Sequence, residues 1–360
     1  MKNLYVLKTL LFLTLILTLS SCASDDSEYE EISPVEVDLT LVPYPKLSDY
    51  KFFEGEMKNL EPAYKVIPYD LNSGLFTDYA HKKRFVYMPE NTHATYAGDD
   101  QPLNFPIGAV LIKNFYYENV QPDNTTRIIE TRLMIKKADG WIFANYVWND
   151  EQTEALLDTG GSFTEITWKE GDEIKSTNYR IPSETECHTC HKTTGSIPSI
   201  IGPKPQNLYK TYTYEDGTKN QLVKWKEEGY LDDVPNGVVS TVDWTDESQP
   251  LELRVRSYLD INCAHCHREG SHCDYRPMRF AFSETDVPEN LGICVAPEEN
   301  INSSLTYIVA KKNSLRSVLS YRIKSTNQAE RMPLLGRTIV HEEAVEMIEE
   351  WIDSMDAPCP

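Results

Sequence analysis

The alternation of apolar and polar positions divides the chain into three zones. Near the start, Lys2 and Lys8 precede an almost unbroken apolar run from Leu10 to Leu19. A positive start before a short apolar core has the form of a secretory signal, and the run is too short to span a membrane as a helix. Residues 43–182 carry strand patterning. Phe105–Tyr117 and Arg127–Lys137 are rich in β-branched and aromatic residues, and part of the second alternates. Asp139-Gly140 predicts a two-residue hairpin turn, with Trp141–Trp148 as the return strand. Ser162–Trp168 and Ile174–Ile181, joined at Glu170-Gly171-Asp172, predict two more strands. Several strands separated by turns predict an antiparallel β-sandwich-like domain. Beyond residue 182 the period lengthens. Asn220–Leu231 predicts a short helix with Leu222, Val223 and Trp225 apolar. Ser248 and Pro250 open a helix whose Leu251, Val255, Tyr258 and Leu259 share a face. Val345, Ile348, Trp351, Ile352 and Met355 recur at helical spacing after the acidic start Glu342-Glu343.

Two stretches in this last zone carry chemistry: Cys187-His188-Thr189-Cys190-His191 and Cys263-Ala264-His265-Cys266-His267. Both read Cys-x-x-Cys-His, the pattern for covalent attachment of a c-type haem. Two thiols three positions apart can add to the two vinyl groups of one porphyrin, and the next imidazole can bind the iron from below. The sequence therefore predicts two covalently attached haem c groups, with His191 and His267 as proximal ligands. A thiol–disulfide pair does not need the histidine, and a zinc site pooling both motifs would discard some of its own ligands. His188 and His265 lie between the thioether anchors, where reaching the iron is awkward; they are expected to be exposed, or at most hydrogen-bonded to a neighbour.

The surroundings of the motifs extend the prediction. Gly202-Pro203 follows His191 at the distance at which, in small cytochromes c, a proline carbonyl accepts the ring N–H of the ligand histidine. Met332, in Arg331-Met332-Pro333, lies 65 residues beyond His267. A helix, a haem motif, a Met-Pro loop and a closing helix, in that order, resemble a single-haem cytochrome c domain, and the resemblance assigns Met332 as the second axial ligand of the second haem. A thioether opposite an imidazole favours ferrous iron and raises the potential. The first haem has no evident sixth ligand within its own segment, and Met88, Met134, His81, His93 and His272 are the candidates elsewhere. The predicted fold class is multidomain α+β, an N-terminal antiparallel β-sandwich-like domain followed by mainly α cytochrome c-type haem modules. The expected division is a signal peptide at 1–22, an acidic tether at 23–42, a β-rich domain at 43–182, a first haem module at 183–245 and a cytochrome c domain with the second haem at 246–356.

Charge and cysteine count set the compartment. The signal ends Leu19-Ser20-Ser21-Cys22, which resembles a bacterial lipobox and implies lipid attachment at Cys22. Ser24-Asp25-Asp26 resembles the export tag of some bacterial surface lipoproteins. The expected location is an exported, lipid-anchored one, at the outer membrane on its periplasmic face or at the cell surface. A formal net charge of −21 excludes nucleic acid as a partner class. Of the eight cysteines, Cys22 and the four motif cysteines leave Cys273, Cys294 and Cys359. In an oxidising compartment two of these pair; Cys273 with Cys294 is the expected bridge, because both fall in one loop-rich insertion.

Over most of its length the chain is similar to a known family. Leu75-Phe-Thr-Asp-Tyr-Ala80, Phe105-Pro-Ile-Gly-Ala-Val110, Glu130-Thr-Arg-Leu133, Val147-Trp-Asn-Asp-Glu-Gln152 and Ile181-Pro-Ser183 precede the first haem motif; Asn262-Cys-Ala-His-Cys-His267 and Arg331-Met-Pro-Leu-Leu-Gly-Arg337 follow it. Together, from about residue 43 to 353, they resemble a family of exported dihaem c-type cytochromes, often encoded beside a β-helix repeat protein. The resemblance implies dihaem electron transfer outside the cytoplasm between redox partner proteins, and no named reaction. Two other classes stay open. A dihaem peroxidase-like enzyme would use an open position on the first haem, and a binding protein would use the β domain to recognise a polymer or partner. Residues 43–182 show no nucleophile elbow, phosphate loop or HExxH motif, and no catalytic residue is assigned.

Overall fold

The computed structural model describes residues 32–192 and 197–360. Within it, the alternating stretches of the middle zone pair as the sequence patterning predicts. Two short strands, β1 (Phe53–Glu54) and β2 (Glu61–Pro62), pair with each other. Eight more form one antiparallel sheet: β3 (Ile67–Tyr69), β4 (His81–Tyr87), β5 (Val110–Val120), β6 (Thr125–Lys137), β7 (Gly140–Trp148), β8 (Ala155–Leu157), β9 (Ser162–Glu170) and β10 (Glu173–Ile181). The spatial path is β10-β9-β5-β6-β7-β8, with β4 paired to the first part of β5 and β3 on the far side of β4. Lys137 pairs with Gly140 at the tight end of the β6–β7 hairpin, where Gly140 takes φ 142°, a value that a residue with a Cβ rarely adopts.

The period of two sorts the sheet's residues onto two faces. Phe85, Ile112, Leu133, Ala144 and Tyr146 turn towards the N-terminal segment and pack with Leu47, Tyr50, Phe52, Leu60 and Val66. The other face carries Val86, Leu111 and Trp141, which pack with Leu208, Leu222 and Trp225 from the segment after residue 182. That segment contains α1 (Glu184–Cys190), α2 (Pro205–Leu208), the ribbon β11 (Thr211–Tyr214) and β12 (Gly217–Asn220), α3 (Gln221–Glu227), α4 (Leu251–Leu259), α5 (Val318–Lys324) and α6 (Glu342–Ser354). A third cluster joins α4 to α6 through Val255, Leu259, Ile348, Trp351 and Ile352.

The predicted fold class is overturned. Among the described residues there is no sandwich, because the long strands belong to one sheet whose second face is covered by the segments that carry the two Cys-x-x-Cys-His motifs. Nor are there mainly α haem modules: strand accounts for 27% and helix for 20%, so the chain is β-dominated. The helices after residue 182 run from 4 to 13 residues. Those of residues 183–245 are too short to enclose a core of their own and complete the core of the sheet instead. Pro34–Pro360 accordingly form one compact unit.

The described part of the expected tether, residues 32–42, is also more ordered than its composition suggests. Val35, Val37 and Leu39 pack against the sheet's core, and Glu36 N–H donates to Tyr50 O at 3.1 Å. The expected signal peptide and Cys22 lie outside the described residues. Among the described residues, no helix is long and apolar enough to cross a membrane.

The expected Cys273–Cys294 bridge is a further correction. Cys294 pairs with Cys359, across 65 residues and with Cα atoms 5.4 Å apart. The C-terminal tail folds back to make this possible: Tyr307 Oη–H donates to the Pro360 carbonyl, and Lys311 N–H donates to Cys359 Sγ at 3.4 Å. Cys273 is a free, buried thiol beside the second haem motif, where its N–H donates to Cys266 O at 2.9 Å.

Candidate functional site

The first motif rides on α1, and the chain builds that helix with care. Ser183 caps it, its Oγ accepting from Glu186 N–H while the Glu186 carboxylate accepts from Ser183 N–H at 2.7 Å. Arg180 pairs with the same carboxylate at 2.6 Å. Cys187 and Cys190, three apart, share a face, and His191 ends the helix. His191 Nδ1 lies 2.9 Å from the Ser199 carbonyl. A carbonyl can only accept, so Nδ1 carries the proton and Nε2 keeps its lone pair, the tautomer an iron ligand needs. The expected partner differs: the Pro203 carbonyl accepts from Leu103 N–H at 3.1 Å. The chain turns back sooner than the Gly-Pro spacing suggested, so Ser199 reaches the ring first. Burial pushes the His191 pKa down to about 4, so the imidazole is neutral.

His191, Cys187, Cys190 and Pro203 line a cavity of about 170 Å³ between α1 and the sheet. Among the sixth-ligand candidates, Met134 alone lines it, from β6. Met88 is buried in the core, and His81, His93 and His272 are exposed. Phe143, the cross-strand neighbour of Met134, packs its ring against His191 at 5.3 Å and the exposed His188 at 5.0 Å. Sequence patterning missed Arg84, Lys113 and Arg132, which line the same cavity from three adjacent strands. Their signal was present, as cations at alternate positions within strand patterns, but one strand cannot reveal the row that several make together.

The second motif follows α4 through a π-helical turn at Asp260–Ala264, a local widening that recurs at functional sites. Asn262 fixes this turn against the sheet's connections: its Oδ1 accepts from Phe76 N–H at 2.8 Å and its Nδ2 donates to Tyr258 O at 3.0 Å. Cys263, Cys266, His267 and Met332 line one smaller cavity of about 40 Å³, with Cys190 and Cys273. The Met332 loop is held from both sides. Arg337, buried, donates to the carbonyls of Met332 at 3.0 Å, Arg322 at 3.1 Å and Ser325 at 2.8 Å. Asp78, also buried, accepts from Thr338 N–H at 2.6 Å and Ile339 N–H at 3.1 Å. His267 Nδ1 is buried with no hydrogen-bond partner among the described residues. His267 thus lacks the carbonyl that fixes the tautomer of His191. Burial pushes its pKa down to about 4 as well.

The fold brings the two motifs together. The donor atoms of Cys190, His265 and Cys266 all lie within 4.8 Å of one another. Hydrogen bonds from Cys266 first, and from His265, hold the Cys190 thiol well below its ordinary pKa, and the same bond raises Cys266. The outer pair differs: burial pushes Cys187 up to about 11 and Cys263 up to about 12. His265 is buried at this junction. Asp260 ties the two segments beneath the motifs. Its carboxylate accepts from Lys204 Nζ at 3.2 Å, Gln206 Nε2 at 3.2 Å and Phe282 N–H at 3.1 Å.

His341, unremarked in the sequence, closes the far side. It stacks on Phe76 with centroids 4.0 Å apart, and its Nδ1 is hydrogen-bonded to Tyr258 Oη at 3.0 Å. Burial pushes its pKa down to about 4, against an opposing pull from Glu343. In the unfolded chain this imidazole charges near pH 6.5. The unfolded state therefore binds more protons between these values, and the stability His341 contributes above pH 6.5 is lost as the pH falls towards 4. We expect the urea midpoint to fall less between pH 7 and pH 5 in His341→Gln than in the wild type.

Comparison with family models, with curated proteins and with solved structures gave no match.

Proposed function

We propose that the protein is an exported, lipid-anchored dihaem c-type cytochrome that transfers electrons between redox partners outside the cytoplasm. Cys187, Cys190 and His191 would hold one haem. Cys263, Cys266, His267 and Met332 would hold the other. When bound, each iron supplies a one-electron couple; the chain supplies the axial ligands, the burial and the orientation. The observation that carries the reading is the junction of Cys190 and Cys266, whose sulfurs lie within 4.8 Å. Two thioether anchors this close would place the edges of two macrocycles side by side, the arrangement a relay requires. The fixed tautomer of His191 and the shared cavity of His267 with Cys263, Cys266 and Met332 support the same ligand roles. Cys22 would supply the anchor.

The test is haem stoichiometry, by intact mass and pyridine haemochrome, on protein made with a cytochrome c maturation system. Two covalent haems are expected, and none would overturn the reading. A second reading is favoured by one observation: Cys190, His265 and Cys266 form a three-donor set of the kind that binds zinc. Elemental analysis decides between them, since one equivalent of zinc without haem would establish a metal centre instead.

A further inference from the structure

The face of the sheet opposite α1 carries an unusual row. Tyr69, Arg84, Lys113, Arg132 and Asn145 pair in register across β3, β4, β5, β6 and β7. Directly paired residues point to the same face, and all five line the cavity shared with Cys187, Cys190 and His191. Three cations in succession across neighbouring strands repel one another, and like charges directly opposite destabilise a sheet. Arg84 is paired with Asp70 at 2.7 Å, and Arg132 with the fully buried Glu130. The Lys113 ammonium has no hydrogen bond or ion pair among the described residues; its Nζ lies 4.8 Å from the Phe115 ring. Burial, with Arg84, Arg132 and Lys82 nearby, holds its pKa well below the ordinary value. A half-buried ammonium with a cation on either side in register, offset only in part by Glu130, is costly unless an anion joins it. Much of the rest of the lining, including Leu71, Leu111, Phe143 and Ile200, is apolar; its polar members include Thr77, Asn262, His265 and the Arg180–Glu186 ion pair.

An apolar cavity with a cationic edge fits a ligand that is apolar with carboxylates at one edge. We propose that the row Arg84–Lys113–Arg132 is a carboxylate site that receives the propionates of the haem attached at Cys187–His191. The assignment rests on the dihaem reading. It means that the sheet would hold the propionate edge of a haem whose other edge the two thioether bonds of the short segment fix. A positive charge at this edge disfavours the ferric state, so the row also raises the potential of the first haem. The same chemistry would accept a free anion such as acetate or sulfate, and the test separates the two sources.

The experiment compares wild type, Lys113→Met and the charge-retaining Lys113→Arg in the full, haem-loaded chain. Intact mass first reports haem content; absence of haem at Cys187 and Cys190 in the wild type would refute the dihaem reading itself, and this proposal with it. With two haems present, spectroelectrochemistry reads both potentials, the first haem being the one that Met332→Ala leaves in place. We expect Lys113→Met to lower the first potential, Lys113→Arg to retain it, and added acetate or sulfate to change nothing in the wild type. An unchanged first potential in Lys113→Met overturns the proposal. A saturable shift of the wild-type potential with added anion, abolished in Lys113→Met, overturns the propionate assignment and makes the row a free-anion site.

Discussion

Replacing Met332 by alanine is expected to lower the potential of one haem and to leave the other where it was. The thioether lines the same cavity as Cys263, Cys266 and His267, and its loop is held there by Arg337 and Asp78. Loss of a soft sulfur ligand removes a preference for ferrous iron. Axial ligation commands a span of roughly 0.8 V across haem proteins, so the shift should be a substantial fraction of that and easily resolved by spectroelectrochemistry. The chain should still carry two haems, because the thioether anchors are untouched. If both potentials stay in place, Met332 is not a ligand. Because the loop is pinned by Arg337 rather than by Met332 itself, the substitution probes ligation more than folding.

Removing Asp260 should have the largest effect on stability. Its carboxylate, fully buried, gathers Lys204, Gln206 and the Phe282 N–H, and so joins the first haem segment to the turn that delivers Cys263. Asp260→Ala would leave the Lys204 ammonium, itself nine-tenths buried, without its counter-charge. Breaking a buried pair from one side costs about 3–5 kcal/mol. We expect a matching loss in urea unfolding. A double variant, Asp260→Ala with Lys204→Met, should recover much of it, since removing both partners is far less costly than removing one. A single-variant loss under about 1 kcal/mol would mean that water reaches Lys204 and that the junction is looser than its burial implies.

How much of this was legible beforehand depended on the range of the interaction involved. The strands of 105–181 could be read because their signals are local: β-branched runs, alternation, and Asp139-Gly140 at the hairpin. Their pairing as one sheet could not, because whether a second sheet or a haem segment covers the free face is settled by contacts between residues far apart, such as Tyr69 with Trp225. The helical modules failed as an expectation for the same reason. Short amphipathic segments read as self-sufficient until the sheet that buries them is seen. The disulfide turned on a tail that folds back over Cys294, a long-range event that residue spacing does not report. Pro203 misled because a spacing learned from compact domains was carried to a chain in which Ser199 comes closer to the imidazole.

The sequence by itself determined the chemistry that the chain can offer. It set two Cys-x-x-Cys-His motifs, their histidines, the Met-Pro loop and the acidic balance, since each is a property of residues near one another along the chain. Only the tertiary structure decided how these parts meet. It placed Cys190 beside Cys266, turned His191 to a carbonyl, brought Met332 to the cavity of His267, and aligned Arg84, Lys113 and Arg132 into one row. The physical reason is that a site is made of distances in space, and β pairing converts positions tens of residues apart into neighbours a few ångströms apart, a conversion that register and burial control and that local pattern does not encode.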